Sequence, residues 1–354
     1  MKAFIVEEKN ILNWLSKLLQ SNIKVYVPKN VEDYSSYEQI EQIEDLVLHQ
    51  KRPEFSFKNI LFPQTESVLE YTIEKNWVKT NPDLNYNSTS EEKTIIFGAP
   101  PCDCASIIAL NHVFLSEPID IFYKSKFDNV YIIGLACTNP EPECFCTSVG
   151  SSMTSTKGSD IFLTPLSSKS NSGKEYLVEV ITTKGMELLK DYELQVQKSN
   201  KKITKNAIEE IKRKHDSKYE SQILPKKDFT QNNQTLSENF YSKDWEEIGI
   251  TCFGCGVCAY VCPTCTCYDL VDEYESGCFR RCKNWDSCGF ANFTLHASGH
   301  NPRPTQIERY RQRILHKFTY FTEQVGMTMC VGCGRCTKFC PVHKDIYEVR
   351  SRWI

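Results

Sequence analysis

Eight cysteines near the C-terminus fall into two runs that share one spacing. In each run three cysteines stand two residues apart, and a fourth follows three residues later, directly before a proline. The runs are Cys252, Cys255, Cys258, Cys262 and Cys330, Cys333, Cys336, Cys340. This spacing is typical of thiolates that bind [4Fe-4S] cubanes. A pair of cubanes transfers single electrons and does not by itself carry out bond chemistry.

In two-cluster proteins of this type the fourth cysteine of one run ligates the cluster held by the other run. Cluster 1 is therefore predicted to be bound by Cys252, Cys255, Cys258 and Cys340. Cluster 2 is predicted to be bound by Cys330, Cys333, Cys336 and Cys262. Glycines inside both runs allow the backbone to pass close to a bulky inorganic core. Zinc is the alternative, although structural zinc sites usually pair two Cys-x-x-Cys units across a longer loop.

Four more cysteines in the N-terminal half follow two predicted strands. They are Cys102, Cys137, Cys144 and Cys146. The strands are predicted at residues 95–98 and 130–136, with a helix at 105–114 between them. Neighbouring parallel strands end at one edge of a sheet, where α/β folds bind ligands, so these thiols are predicted to converge. A third [4Fe-4S] cluster, cluster 3, is the favoured interpretation, with Cys104 as the substitute for Cys102; separate buried cysteines are the alternative.

The remaining cysteines lie around and beyond the first run: Cys265, Cys267, Cys278, Cys282 and Cys288. Cys265 and Cys267 are interpreted as structural residues that pack beside the cluster, with a further metal site or exchange with a cluster ligand as the alternatives. A helix predicted at residues 304–317 carries several basic residues. It either lines the clusters or a partner surface, or it is a solvated face. Arg281, Lys283 and Arg335 are close in sequence to ligands and are predicted to raise a cluster potential.

The elements that must position these cysteines divide into two regions. Residues 1–227 are predicted to form a mixed α/β domain, because apolar residues at helical spacing alternate with β-branched runs. Residues 228–239 are polar and are predicted to be a linker. Residues 240–354 are predicted to form a mostly helical, bacterial-ferredoxin-like domain for two [4Fe-4S] clusters. The predicted fold class is therefore α+β.

Composition argues against several kinds of partner and site. The formal charge of −3 gives no reason to expect nucleic-acid or membrane binding. The N-terminus has too short an apolar run for a signal peptide, and cluster ligands must be reduced thiolates, so a cytoplasmic location is expected. There is no dinucleotide fingerprint, phosphate loop or nucleophile elbow. We therefore expect no flavin or NAD site in this chain, which indicates one component of a larger enzyme.

Several short segments resemble a known family. They are Ala-Pro-Pro-Cys-Asp at 99–103, Cys-Phe-Cys-x-Ser-x-Gly at 144–150, Cys-Pro-Thr-Cys-Thr-Cys at 262–267, Trp-x-Ser-Cys at 285–288 and Cys-Val-Gly-Cys-Gly-Arg-Cys at 330–336. The chain resembles the iron–sulfur beta subunit of cytoplasmic [NiFe] hydrogenases (sulfhydrogenases) and, almost as closely, the iron–sulfur subunit of anaerobic sulfite reductase. Pro100 stands where that family usually has arginine, and Cys104, Cys278 and Cys282 are additions to its pattern.

The resemblance implies an electron relay within a multisubunit oxidoreductase of an anaerobe. One partner would be a flavin subunit that handles NAD(P)H, and the other a catalytic subunit with nickel–iron or sirohaem. We expect a non-catalytic subunit of a [NiFe] hydrogenase, with anaerobic sulfite reductase as the alternative. A stand-alone iron–sulfur enzyme and a zinc scaffold are weaker alternatives.

Overall fold

Eleven strands build two sheets in the part of the chain that the structure describes. The computed structural model describes residues 2–21, 23–46, 48, 51–74, 77–80, 92–166, 174–192, 203–230 and 233–353. The strands are β1 (Lys2–Glu7), β2 (Lys24–Val31), β3 (Tyr34–Ile40), β4 (Thr65–Glu74), β5 (Trp77–Thr80), β6 (Thr94–Ala99), β7 (Val130–Leu135), β8 (Ile161–Pro165), β9 (Glu175–Val180), β10 (Tyr268–Glu275) and β11 (Cys278–Trp285).

Thirteen α-helices of 4 to 15 residues lie in the described part of the chain. They are α1 (Glu8–Gln20), α2 (Lys58–Leu61), α3 (Pro101–Phe114), α4 (Ile121–Asn129), α5 (Thr183–Asp191), α6 (Lys205–Tyr219), α7 (Asn233–Glu238), α8 (Asp244–Gly249), α9 (Val257–Tyr260), α10 (Gln306–Leu315), α11 (Phe321–Val325), α12 (Arg335–Lys338) and α13 (Ile346–Ser351). A π-helical turn, His316–Tyr320, joins α10 to α11. None of the described helices is long and apolar enough to span a membrane.

The larger sheet has the strand order β1-β9-β8-β7-β6-β2-β3. Its centre is parallel, since β2 pairs with β6, β6 with β7 and β7 with β8 in the same direction. Helices α1 and α5 pack on one face and α2, α3 and α4 on the other. Every residue of β7 is buried, as expected for a parallel strand covered on both faces. The predicted α+β fold class is confirmed, with the mixed α/β region in the N-terminal half.

A smaller sheet joins sequence-distant segments in the order β10-β11-β4-β5. Strand β11 pairs with β4, so a hairpin that lies between the two cysteine runs completes a sheet begun in the first 80 residues. Its strands are more polar than those of the larger sheet, which is why sequence periodicity did not reveal them. The proposed boundary between the two regions is therefore crossed by a continuous hydrogen-bonded sheet.

The segment expected to be a polar linker contains helix α7 and two buried anchors. Phe229 and Leu236 are both fully buried. They pack in one core with Trp245, Phe318 and Trp353 of the C-terminal region. Two apolar side chains spaced along a polar stretch are sufficient to fix it to the core, although the average composition of the stretch is that of a connector.

Each cysteine run begins its short helix at a glycine with left-handed backbone. Gly256 precedes α9 with φ of 78°, and Gly334 precedes α12 with φ of 73°. An L-amino acid with a side chain rarely adopts this conformation. The repeat seen in the sequence is thus a repeat of backbone geometry, and both runs present their cysteines in the same way.

Candidate metal centres

The thiols predicted for cluster 1 line one pocket beside α9 and α10. They are Cys252, Cys255, Cys258 and Cys340. Cys340 comes from the second run, as crossed ligation requires. Cys255 is exposed, and so is the neighbouring Phe253, with 63% of its surface accessible. The pocket therefore opens to the protein surface on the side of Cys255.

The thiols predicted for cluster 2 are more buried than those of cluster 1. They lie between the cluster 1 pocket and the N-terminal cysteines. Cys262, Cys330 and Cys336 interact electrostatically with one another, and the ammonium of Lys317 donates to Sγ of Cys262 at 3.3 Å. Burial raises the pKa of Cys336 to about 12, because a thiolate loses its hydration there. Cys336 also lines the cluster 1 pocket, whereas Cys333 faces the N-terminal cysteines.

The structure brings the four N-terminal thiols to one pocket at the carboxyl edge of the larger sheet. They are Cys102, Cys137, Cys144 and Cys146. Cys102 lies in the first turn of α3 after β6, and Cys137 follows β7. Cys104 points away, and its thiol donates to the carbonyl of Ala99 at 3.4 Å. Among the described residues no three His, Cys, Asp or Glu side chains meet closely enough for a single metal ion, and these thiols instead line a pocket wall.

The loop that carries Cys144 and Cys146 is held against the second cysteine run. The amide of Phe145 donates to the carbonyl of Gly332 at 2.8 Å, and Sγ of Cys144 contacts the carbonyl of Cys333 at 3.6 Å. Gly332 has φ of +65°, and a Cβ there would lie 2.6 Å from Cα of Cys146. The second run and this loop are therefore packed backbone to backbone.

An arginine that sequence reasoning missed lies at this N-terminal pocket. Arg52 is buried and forms an ion pair with Glu141 through one guanidinium nitrogen. Its Nε and Nη1 are buried without a hydrogen-bond partner within the described part of the chain. Burial raises the pKa of Cys137 to about 11 and that of Cys146 to about 12. No sequence motif surrounds Arg52, and only the folded chain places it beside the N-terminal cysteines.

A second buried cation ties the cluster region to the N-terminal domain. Arg335, in α12, donates to both carboxylate oxygens of Asp103 at 2.5 and 2.8 Å, and to the carbonyl of Pro53. Both side chains of this pair are fully buried. The hydroxyl of Tyr37 donates to the same carboxylate at 2.9 Å. The charge of Arg335 is therefore balanced by Asp103, which lies next to Cys102.

Three cations were expected to raise a cluster potential, and two of them are paired with carboxylates. Arg281 forms a bidentate pair with Asp272 within the β10–β11 hairpin, and Lys283 is paired with Glu66 and Asp120. Both cations are therefore neutralised by carboxylates, which lie on β10, on β4 and directly before α4, and an effect of Arg281 and Lys283 on a cluster potential stays a prediction. Sequence proximity to a ligand did not predict the direction of these side chains along β11.

The basic helix, whose role the sequence left open, turns two of its cations inward. Arg313 and Lys317 are 5% and 3% exposed and contact cysteine sulfurs of the C-terminal region. Arg311 instead lies over the ring of Phe240, 3.9 Å from its centre. The π-helical turn contains Lys317, and such turns often occur at functional sites. This helix therefore lines the cysteine sites.

Comparison with known proteins agrees with this geometry. A family model described as "4Fe-4S dicluster domain" matches residues 251–344, which contain both cysteine runs. The chain is 33% identical to sulfhydrogenase 2 subunit beta of Pyrococcus furiosus over 340 residues, which is 93% of this chain and 92% of that protein. The resemblance predicted from the short segments is thereby confirmed. The chain carries an iron–sulfur dicluster domain, and it belongs to the family of the sulfhydrogenase beta subunit.

Proposed function

We propose that this chain relays single electrons between a flavin subunit that uses NAD(P)H and the catalytic subunit of a cytoplasmic [NiFe] hydrogenase. A role as an iron–sulfur electron-transfer subunit is supported by the dicluster domain and by the relative, whose name is that of a sulfhydrogenase subunit. The observation that carries the proposal is the continuity of three thiol-lined sites within one chain. A [4Fe-4S] cluster, when bound, accepts and releases one electron at a time.

The second cysteine run lies between the other two sites and contacts both. Cys336 lines the cluster 1 pocket, and Cys333 lines the N-terminal pocket. The three sites therefore form a row, with the cluster 2 ligands in the middle. At one end, exposed Cys255 and Phe253 place the cluster 1 site at the surface, where another subunit can dock. A row of thiol-lined sites that reaches the protein surface beside Cys255 suits electron transfer to another protein rather than reaction with a dissolved substrate.

The N-terminal pocket fits cluster 3. Its four thiols, Cys102, Cys137, Cys144 and Cys146, are soft ligands of the type that selects iron–sulfur clusters. The unpartnered N–H groups of Arg52 lie in the lining of the same pocket and need an acceptor. An anionic cluster would supply that acceptor, because hydrogen bonds to cluster sulfurs are a common feature of such sites. Separate buried cysteines would offer no anionic acceptor to Nε and Nη1 of Arg52.

Removing two of these thiols should remove one cluster. The Cys144→Ala/Cys146→Ala variant, prepared without oxygen, is expected to contain about four irons fewer per chain than the wild type. Iron and acid-labile sulfide are measured together. Cys104→Ala is the matched control, since Cys104 is a neighbouring buried cysteine outside the pocket, and its iron content should not change. An unchanged iron content in the double variant would reject cluster 3.

The partner assignment is tested on the complex purified through this chain. A tagged chain, isolated without oxygen from its native cells, should bring down a flavin subunit together with a nickel-containing subunit. Nickel, flavin and sirohaem are quantified in the same sample. Sirohaem without nickel would replace the hydrogenase assignment by that of the iron–sulfur subunit of anaerobic sulfite reductase. A complex that contained neither nickel nor sirohaem would overturn the proposal that this chain relays electrons to a catalytic subunit.

A further inference from the structure

Lys317 lies between the two segments that supply the predicted ligands of cluster 2. Its ammonium donates to Sγ of Cys262, the ligand from the first run, at 3.3 Å. Its backbone carbonyl accepts from the amide of Met329, the residue directly before Cys330 of the second run, at 2.9 Å. One residue therefore contacts the ligand from the first run through its side chain and holds the start of the second run through its backbone.

The ammonium of Lys317 is buried and fixed in position. Only 3% of the surface of Lys317 is exposed, and its ammonium also donates to the hydroxyl of Thr264 at 3.0 Å. The same hydroxyl lies 3.3 Å from Sγ of Cys262, so that ammonium, hydroxyl and sulfur form a closed triangle. Thr264 is itself fully buried. The positive charge is therefore held beside Cys262 and does not swing out to solvent.

The charge of Lys317 is not balanced by a carboxylate. Within the described part of the chain no Asp or Glu forms an ion pair with it, and the partners of its ammonium are a sulfur and a hydroxyl. Lysine is ordinarily protonated at neutral pH, and a thiolate beside it favours the charged form. The protein thus directs one uncompensated positive charge at a ligand of cluster 2.

The cations of the N-terminal pocket are balanced, in contrast. Arg52 forms an ion pair with Glu141, and Arg335 forms one with Asp103. A pair of opposite charges produces a weaker field at a nearby site than a single charge does. The predicted sites of clusters 2 and 3 are therefore neighbours with different electrostatic surroundings.

We propose that Lys317 sets the reduction potential of cluster 2 and raises it above that of cluster 3. Reduction adds one negative charge to a cluster, so a fixed positive charge beside a ligand stabilises the reduced form more than the oxidised form. Lys317 is a positioning residue, because it acts through Cys262 and through its own charge and not as a ligand. The inference rests on the proposed relay, and it makes the centre of the row the place where a transferred electron is held.

The test is a redox titration of the full chain, loaded with its clusters without oxygen and followed by electron paramagnetic resonance. Lys317→Gln keeps a hydrogen-bond donor and removes the charge. At the wild-type midpoint potential of cluster 2, the ratio of reduced to oxidised cluster 2 should fall by about tenfold or more. Arg311→Gln is the matched control, because Arg311 belongs to the same helix but lies over the ring of Phe240, and it should change no potential.

Two further variants assign the paramagnetic signals. The signal of cluster 3 is the one that Cys144→Ala/Cys146→Ala removes, and the signal of cluster 1 is the one that Cys255→Ser alters at its exposed predicted ligand. The third signal belongs to cluster 2. In the wild type, cluster 2 should be reduced at a higher potential than cluster 3. This order requires no substitution of Lys317, so it decides the question if the Lys317→Gln chain does not fold.

An unchanged potential of cluster 2 in the Lys317→Gln variant, or an equal shift in Arg311→Gln, would overturn the proposal. Reduction of cluster 3 at a higher potential than cluster 2 would also overturn it. The shift caused by Lys317→Gln is read on cluster 2 alone, so it tests Lys317 whether or not cluster 3 is present. The relay proposal fails independently, through the identity of the co-purified subunits, which the titration does not measure.

Discussion

Replacing Arg335 by glutamine is expected to lower the free energy of unfolding by about 3–5 kcal/mol, the range found when one partner of a buried ion pair is removed. Asp103 would be left fully buried with its charge unbalanced. Its carboxylate would keep the hydrogen bond from the hydroxyl of Tyr37, at 2.9 Å, which carries no charge to replace the guanidinium. The measurement is the denaturant midpoint of the cluster-loaded chain, followed together by cluster absorbance and by protein fluorescence.

Two further variants show whether the pair itself is responsible. Lys338→Gln removes another cation from the same helix, but Lys338 is one-third exposed and its pairs should contribute at most about 1 kcal/mol. The double variant Arg335→Met/Asp103→Leu leaves no unpaired charge and should recover much of the lost stability. If Arg335→Gln shifted the midpoint no more than Lys338→Gln does, the buried pair would not be what holds α12 against α3.

Replacing Gly332 by alanine should disturb two metal sites at once. The added Cβ would lie 2.6 Å from both N and Cα of Cys146 and 2.7 Å from the carbonyl carbon of Phe145. Backbone on that side cannot rotate away as a flexible side chain would. Overpacking of this kind costs about 1–3 kcal/mol, and the left-handed φ adds about 1–2 kcal/mol. We expect reduced iron content in the N-terminal pocket together with a lower unfolding midpoint.

The Gly277→Ala variant separates backbone strain from steric collision, the two expected causes of the destabilisation by Gly332→Ala. Gly277 has φ of +89°, and a Cβ there would meet nothing within 4 Å. This variant therefore introduces backbone strain without a collision, and its iron content should equal that of the wild type. Equal losses of stability and iron in the two variants would show that the contact with Cys146 is unimportant.

Local sequence patterns predict the elements that carry two of the four N-terminal cysteines, Cys102 and Cys137. The β-branched runs at 95–98 and 130–136 correspond to β6 and β7, and the intervening helix to α3. Their parallel pairing follows from the strand–helix–strand order, because such crossovers return the chain in the same direction. The same order predicts Cys102 and Cys137 at one sheet edge, and the structure has them in one pocket.

The contacts between distant segments could not be predicted. Arg335 and Asp103 are 232 residues apart, and Lys58 and Cys265 are 207 apart. No periodicity or local spacing links such positions in a single sequence. The cations that line the cysteine sites were therefore missed or misassigned, whereas the cysteines of each run, whose spacing is local, could be grouped from the sequence. The pairing within the smaller sheet was missed partly because its strands are polar and partly because β4 pairs with β11, about 200 residues further along the chain.

The long sequence separation between β4 and β11 has a consequence for synthesis of the chain. On the ribosome β4 can pair with β5 at once, but its other edge stays open until β11 is translated, and an open edge invites pairing with other nascent chains. Glu66 and Glu70 lie on β4 and would repel a second copy of the same strand. When β11 arrives, Lys283 and Arg280 pair with these glutamates at 2.8 and 2.9 Å. The two glutamates that disfavour pairing of β4 with another copy of itself thus form salt bridges that favour its pairing with β11.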